Sequence, residues 1–285
     1  DEDSRFLDCE KGVMDQLKSE GYGEPGLKIT RENVRGSKSR LAEVVAKFAA
    51  AKHDLIISLG TLPTIAITKA IRDAPVVFGM VYDPVAAGIA RSWKSSGNNT
   101  TGASPLIPMS TLIGTLREVK SVKTLAVLYT ADERQSRIQL SELKKFQADS
   151  QINVIPVILS GREEIVKTLP AVVREVDAIY VTGATRIGSA VSEIVKLANE
   201  DRVVTITHLP DYVNKGVLIG VCANSYYVGR LTGKKAVQVL RGAKPSAVPV
   251  ETERRVDVIL NRKTMAAGRF QLPASFLQKV TKTVE

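Results

Sequence analysis

Cysteine, histidine and aromatic side chains are scarce in this chain, and each scarcity removes a class of chemistry. The two cysteines, Cys9 and Cys222, lie far apart, whereas a disulfide framework or a zinc site needs closer sets and more ligands. Each therefore reads as a small, half-buried apolar residue. Only His53 and His208 could add imidazole, so neither a metal nor a cofactor is expected. Aromatic residues make up 5% of the chain, which leaves aliphatic side chains to fill the core. No stretch approaches the roughly 18 to 20 apolar residues of a membrane-spanning helix. The acidic start, Asp1, Glu2 and Asp3, has no apolar signal core behind it, so the expectation is a mature or trimmed soluble chain.

What is present suits a folded protein of about two domains. The 285 residues are 44% apolar and 25% charged, a globular rather than a disordered profile, and each half is long enough to bury a core. A formal charge of +10 raises nucleic-acid binding, since Lys and Arg that neutralise phosphates drive it. The basic residues are instead spread over many helices, with short clusters such as Arg254-Arg255 and Arg262-Lys263 and no finger or helix-turn-helix spacing. A solvated basic surface is the simpler reading, and no nucleic-acid partner is expected.

From about residue 27 short β-branched runs alternate with segments of helical period, the signature of parallel βαβ units. Strands are expected at Leu27–Thr30, Leu55–Ser58 and Val76–Met80, with helices at Arg40–Ala51 and Pro63–Arg72. Polar residues 95–102 then interrupt the alternation and read as the approach to a hinge, too poor in apolar side chains for a core. The pattern restarts with helix Ser110–Val119, strand Thr124–Tyr129, helix Ser136–Gln147 and strand Asn153–Leu159. Next come a helix through Ile165 and Leu169, strand Ala178–Val181, a helix through Ile194 and Ala198, and strand Val203–Thr207. Strand Val217–Val221, helix Tyr226–Leu240, strand Val256–Leu260 and a closing helix Phe276–Val284 complete it. These last pieces exceed the needs of one lobe, so the chain is expected to cross between lobes more than once.

Two glycine patterns mislead. Residues 21–26 match the dinucleotide-binding spacing but follow a helix, where the phosphate-binding version follows a strand and opens a helix; a helix-ending turn is expected. Residues 229–235 resemble a phosphate loop one residue short, inside a helical pattern. More informative are polar residues directly after strands, because in open parallel sheets the ligand lies beyond the carboxyl ends. Four such edges occur: Leu59-Gly60-Thr61, Tyr82-Asp83-Pro84, Thr130 to Ser136, and Thr182 to Thr185. Ser136 is expected to cap its helix. No nucleophile stands beside either histidine and no paired acids occupy matching strand ends, so an enzyme is not expected.

The residues resemble the ABC-transporter substrate-binding proteins of type I periplasmic-binding-protein fold, the group with tryptophan- and tyrosine-binding members. The resemblance rests on residues 54–61, Val81 to Gly88, Asn99 to Ser104, Asp177 to Val181, Tyr226 to Arg230 and Gly242 to Ser246, in that order. It implies an α/β fold of two Rossmann-like lobes with parallel sheets, residues 1–104 plus 224–250 and residues 105–223 plus 251–285, joined by three hinge crossings near Ser104, Asn224 and Glu251. It also implies capture of a small molecule, an amino acid or small organic acid, in the interlobe cleft, a periplasmic or extracytoplasmic place, and an ABC permease as partner. Ligand contacts carried over are Gly60, Thr61, Tyr82, Asp83 and Ser104 from one lobe, Glu133, Gln135, Ser136, Thr182 and Thr185 from the other, and Asn224 at a crossing.

The chain also departs from the family. Ala184-Thr185 stands where members carry Asp-Asn, Gln135 where they carry asparagine, and an aspartate near Asn224 is lacking. An ammonium group buried without a carboxylate would cost several kcal/mol, so a smaller or less cationic ligand, such as an acid held by helix N-termini, is expected. The family's first strand would precede Asp3. The same fold also serves as the ligand-sensing module of signalling proteins; permease and ATPase genes nearby would favour import, a fused kinase or cyclase sensing.

Overall fold

The computed structural model describes residues 4–23 and 25–285, the side chains at 4, 134, 135, 148–150 and 162 excepted. In chain order the elements are α1 (Ser4–Ser19), α2 (Lys38–Ala50), β1 (Ile56–Leu59), α3 (Thr61–Ala70), β2 (Val76–Gly79), β3 (Thr100–Ser104), α4 (Met109–Val119), β4 (Thr124–Tyr129), α5 (Arg134–Ser150), β5 (Asn153–Ile158), α6 (Arg162–Val172) and β6 (Ala178–Val181). They continue with α7 (Thr185–Gly188), α8 (Val191–Glu200), β7 (Val204–Thr207), α9 (Pro210–Asn214), β8 (Ile219–Ala223), α10 (Ser225–Leu240), β9 (Glu251–Thr252), β10 (Val256–Asn261), α11 (Arg262–Ala267), α12 (Ala274–Leu277) and β11 (Lys282–Val284).

The chain divides into two compact units, residues 1–106 with 223–255 and residues 107–222 with 256–285. The third passage thus falls after Arg255 rather than near Glu251, because β9 extends the first unit's sheet through the pairs Ala103–Glu251 and Ser104–Thr252. Among the described residues that sheet has the order β1-β2-β3-β9, and the second unit's sheet has the order β11-β10-β8-β7-β6-β4-β5. The ladders β1–β2, β2–β3, β4–β5, β4–β6, β6–β7 and β7–β8 are parallel, as alternation with helices requires.

In the first unit, successive β2 residues face opposite sides of the sheet. Val77 packs with Val13, Leu17 and Ala236 of α1 and α10, whereas Val76 packs with Ile67 of α3 and Phe78 with Val81 and Ile89 of the following loop. Helices α1 and α10 lie close enough that their glycines are obligatory. A Cβ on Gly12 would stand 2.0 Å from the Tyr226 carbonyl oxygen, and one on Gly229 2.0 Å from that of Cys9. The Gly229 to Lys235 segment is therefore helix interior with its glycines spent on packing. In the second unit, Ala126 and Leu128 of β4 and Ile179 and Val181 of β6 bury against Ile165 and Leu169 of α6 and Ile194 and Ala198 of α8.

Three further expectations fail. Leu27–Thr30 is irregular, with Ile29 exposed. The polar stretch ending at Gly102 is not hinge-like throughout, since Thr100–Ser104 is the wholly buried strand β3. Its hydroxyls are satisfied internally, Thr100 on Asn98 Oδ1 at 2.6 Å and Thr101 on the Val248 carbonyl at 2.8 Å, so threonine serves as a β-branched core residue. The closing helix shrinks to α12, and residues 282–284 instead form β11 parallel to β10. The turn at residues 21–26 does end a helix, with Gly21 at φ 87° and Tyr22 N–H donating to the Leu17 carbonyl at 2.9 Å; Glu24 lies outside the described residues.

Candidate functional site

Because neighbouring strands run parallel, the residues that follow them collect at one carboxyl edge of each unit. At the first unit's edge Gly60 links β1 to α3 with φ 100° and ψ 157°, a conformation that favours glycine. Its N–H bonds the Gly79 carbonyl at 2.9 Å, and a Cβ there would press on the Phe6 ring at 3.2 Å. Thr61 opens α3 and is half-buried. Leu62 beside it is 70% exposed and Phe6 37%, which leaves apolar surface at this edge.

Beyond β2, Met80 takes a left-handed φ of 57°, rare for a side-chain-bearing residue, and the chain turns into Tyr82 and Asp83. One Asp83 oxygen accepts the N–H groups of Val85 at 3.0 Å and Ala86 at 2.9 Å, so this carboxylate shapes its own loop. Ser104 at the end of β3 is buried; its hydroxyl donates to the Tyr82 carbonyl at 2.5 Å and accepts Leu106 N–H at 3.0 Å. Asn224 caps α10 by accepting Tyr227 N–H at 3.2 Å, and its own N–H bonds the Arg255 carbonyl at 3.2 Å. The segments entering and leaving the first unit are thereby tied together, with the Arg255 guanidinium 4.0 Å over the Tyr227 ring.

At the second unit's edge two loops are clamped to each other. Both oxygens of Glu133, the residue before α5, accept Thr185 N–H at 2.9 Å, and one also accepts the Thr185 hydroxyl at 3.2 Å. Asp132 pairs with Arg186 at 2.8 Å. The helix starts earlier than expected, so Glu133 and not Ser136 occupies the cap position. Ser136 is fully buried, donating to the carbonyls of Thr130 at 2.9 Å and Glu133 at 3.0 Å. Thr182, also buried, donates to the Leu128 carbonyl at 2.7 Å. The side chain of Gln135 lies outside the described residues. Of the expected contacts in this unit, Glu133 and Thr185 are brought together, whereas Ser136 and Thr182 use their hydroxyls to hold backbone.

Beneath this edge runs a buried polar chain that sequence reasoning missed. Gln139 Oε1 accepts Gly183 N–H at 3.3 Å, and its Nε2 lies 3.3 Å from His208 Nε2. His208 Nδ1 lies 2.8 Å from the Tyr180 hydroxyl. Gly183 can only donate, so the Gln139 amide must present oxygen to it and NH2 to the histidine; His208 Nε2 then accepts, and Nδ1 carries the proton toward Tyr180. Burial pushes the His208 pKa down to about 4, which keeps the ring neutral. A signal did exist: His208 directly follows β7, as the other edge residues follow their strands. The Tyr212 hydroxyl donates to the Ala184 carbonyl at 3.2 Å, and burial, then Glu133 and Asp211, push its pKa up to about 12. The Thr182 to Thr185 edge is thus held at every residue.

Among the described residues no group of three or more His, Cys, Asp or Glu stands together to hold a metal, and no helix is long and apolar enough to cross a membrane. Burial first, and then Glu10 and Asp8, raise the Cys9 pKa to about 12, which suppresses the thiolate and makes the thiol inert.

Residues 2–284 match the family described as ABC transporter substrate binding protein. The chain belongs to that family. As a member it has the type I periplasmic-binding-protein fold, and the family consists of substrate-binding proteins rather than enzymes. The chain is 28% identical over 265 residues to a tyrosine-binding protein of Clostridioides difficile, covering 91% of this chain and 76% of the relative. A ligand-free, open substrate-binding protein with adhesive properties from Clostridium difficile superposes with a TM-score of 0.91 at 25% identity, over 100% of this chain and 96% of that one. A Streptococcus pneumonia ABC domain in complex with L-Trp superposes with a TM-score of 0.74 at 27% identity, over 98% and 95% of the two chains.

Proposed function

We propose that this substrate-binding protein is the extracytoplasmic receptor of an ABC importer and captures a small amino acid-like ligand between the carboxyl edges of its two units. The observation that carries this reading is that each unit gathers its polar edge residues at the same, carboxyl ends of its parallel strands, where ligands of open α/β sheets bind. Gly60, Thr61, Tyr82, Asp83 and Ser104 would serve from the first unit, Glu133, Gln135, Ser136, Thr182 and Thr185 from the second, and Asn224 at the crossing. Ser104, Ser136 and Thr182 would act by fixing the edge, because their hydroxyls are already engaged. Closure about the crossings would enclose the ligand, and a permease would read the closed form.

Glu133 bears on the ligand's charge. Lack of a carboxylate at Ala184-Thr185 argues for an uncharged or acidic ligand, but Glu133 brings a carboxylate to that spot, bonded to Thr185. Thr185 supplies no positive charge to it, and Arg186 is engaged by Asp132. A ligand ammonium would complete the pairing, which favours an amino acid, as do the tyrosine-binding and L-Trp-bound relatives.

Native mass spectrometry of the purified protein should show a retained small molecule. In calorimetry L-tyrosine or L-tryptophan is expected to bind, and 3-(4-hydroxyphenyl)propionate, which lacks the ammonium, to bind at least about tenfold more weakly, about 1.4 kcal/mol. Glu133→Gln should weaken the amino acid by a similar factor and leave the deaminated acid unaffected. Tighter binding of the deaminated acid would make the ligand an organic acid, and no binding of either would reject the aromatic class. Loss of uptake of the bound compound on deletion of the protein tests the import role.

A further inference from the structure

A cavity of about 310 Å3 opens in the first unit, away from the β1 and β2 edge residues, between α10 and the segment leading into β9. Its polar lining is Lys234, Lys235, Gln238 and Glu251. Lys235 is the unusual member, since its side chain is only 3% exposed. Its ammonium donates to the Pro249 carbonyl at 2.6 Å and to Glu251 Oε2 at 3.0 Å. An ammonium has three N–H groups, so one is left without a protein acceptor among the described residues, and a buried donor left unmet is costly. Glu251 is 55% exposed; it reaches the buried nitrogen from the solvent side, so a carboxylate can approach along that route. The rest of the lining, including Leu231, Ala243, Val248 and Pro249, is apolar. Two lysines against one glutamate leave one positive charge.

From this geometry we propose that the cavity is a second ligand site, for a small monocarboxylate whose apolar body lies against Leu231 and Val248 and whose carboxylate takes the third Lys235 N–H. One negative charge matches the local excess, and an apolar body of a few carbons matches the wall. The site does not depend on what the carboxyl edges bind. It touches the rest of the unit through β9, because Lys235 holds Pro249 and Glu251, and β9 in turn pairs with β3.

The test uses the full chain with butyrate and benzoate as probes, followed by amide shifts in two-dimensional NMR. Saturable shifts at Gln238, Ala247 and Val248, without shifts at Gly60 or Thr185, are expected at millimolar probe. Glu251→Gln removes the competing charge and should tighten binding at least threefold. Lys235→Met should abolish it; because that change can also perturb folding, the surface variant Lys234→Gln is run beside it and should weaken binding about twofold to threefold. The proposal fails if neither wild type nor Glu251→Gln shows saturable shifts at Gln238 and Val248, if a folded Lys235→Met still binds, or if the shifts fall only at Gly60 and Thr185.

Discussion

Replacing Gly229 by alanine is expected to destabilise the first unit by about 3 kcal/mol, although the same change in a free helix would stabilise it by about 1 kcal/mol. The reversal follows from the α1–α10 contact. The new Cβ would lie 2.0 Å from the Cys9 carbonyl oxygen, and that atom is helix backbone, so the helices must separate and uncover Val13, Leu17 and Val237. Gly12→Ala on the opposing helix meets the Tyr226 carbonyl in the same way and should cost a similar amount. Gly114 in α4 is the control: it is exposed, and a Cβ there meets nothing within 4 Å, so Gly114→Ala should stabilise by up to about 1 kcal/mol. Thermal unfolding reads the contrast, with a fall of roughly 6 to 12 °C for Gly229→Ala and a small rise for Gly114→Ala. An unchanged or raised melting temperature for Gly229→Ala would overturn the close helix pairing.

Acid is expected to weaken the second unit through His208. Its pKa is pushed down to about 4 in the folded protein from an ordinary value of 6.5, so the unfolded chain takes up the proton first. The contribution is fully present above pH 6.5 and is lost at about 1.4 kcal/mol per pH unit as the pH falls toward 4, about 3 kcal/mol in all. Other carboxylates titrate over part of this range, and the comparison with His208→Gln isolates the histidine: its stability profile between pH 7 and 4 should be flatter by about 3 kcal/mol. Protonation also puts a hydrogen on Nε2, facing the NH2 of Gln139, and so disturbs the support of Gly183. Ligand affinity in the wild type should therefore hold through pH 6 and decline only as the pH approaches 4, where the folded ring itself takes up the proton. Parallel profiles, or an imidazole that titrates near 6.5 by NMR, would refute the buried neutral ring.

The strands legible from the residues were those with apolar runs or, as in β5, an interleaving of buried and exposed positions. β4 and β6 match their expected bounds because Thr124–Tyr129 and Ala178–Val181 are nearly unbroken β-branched and aliphatic runs. β3 escaped because Thr-Thr-Gly-Ala-Ser is buried by what its neighbours supply: the Val248 carbonyl for Thr101, and Phe78 packed where Gly102 has no side chain. β11 escaped because Lys282–Val284 is a strand only by pairing with Ile259 to Asn261. The candidate site divides similarly. Polar residues after strands could be read from spacing, but which hydroxyls bond backbone could not, because the acceptors of Thr182 and Ser104 lie on other strands or loops. Nor could the Glu133–Thr185 clamp, whose partners are 52 positions apart.

The discontinuous make-up of the units sets a timetable for synthesis. α1 leaves the ribosome long before α10, yet Cys9, Val13 and Leu17 find their cover in α10, which begins at Ser225. Until that helix emerges, the early segment carries an unmatched greasy stripe while the whole intervening unit is being made. A nascent chain halted between α1 and α10 should thus be captured by holdase chaperones through α1, and release should coincide with the appearance of the glycine-bearing face that receives it.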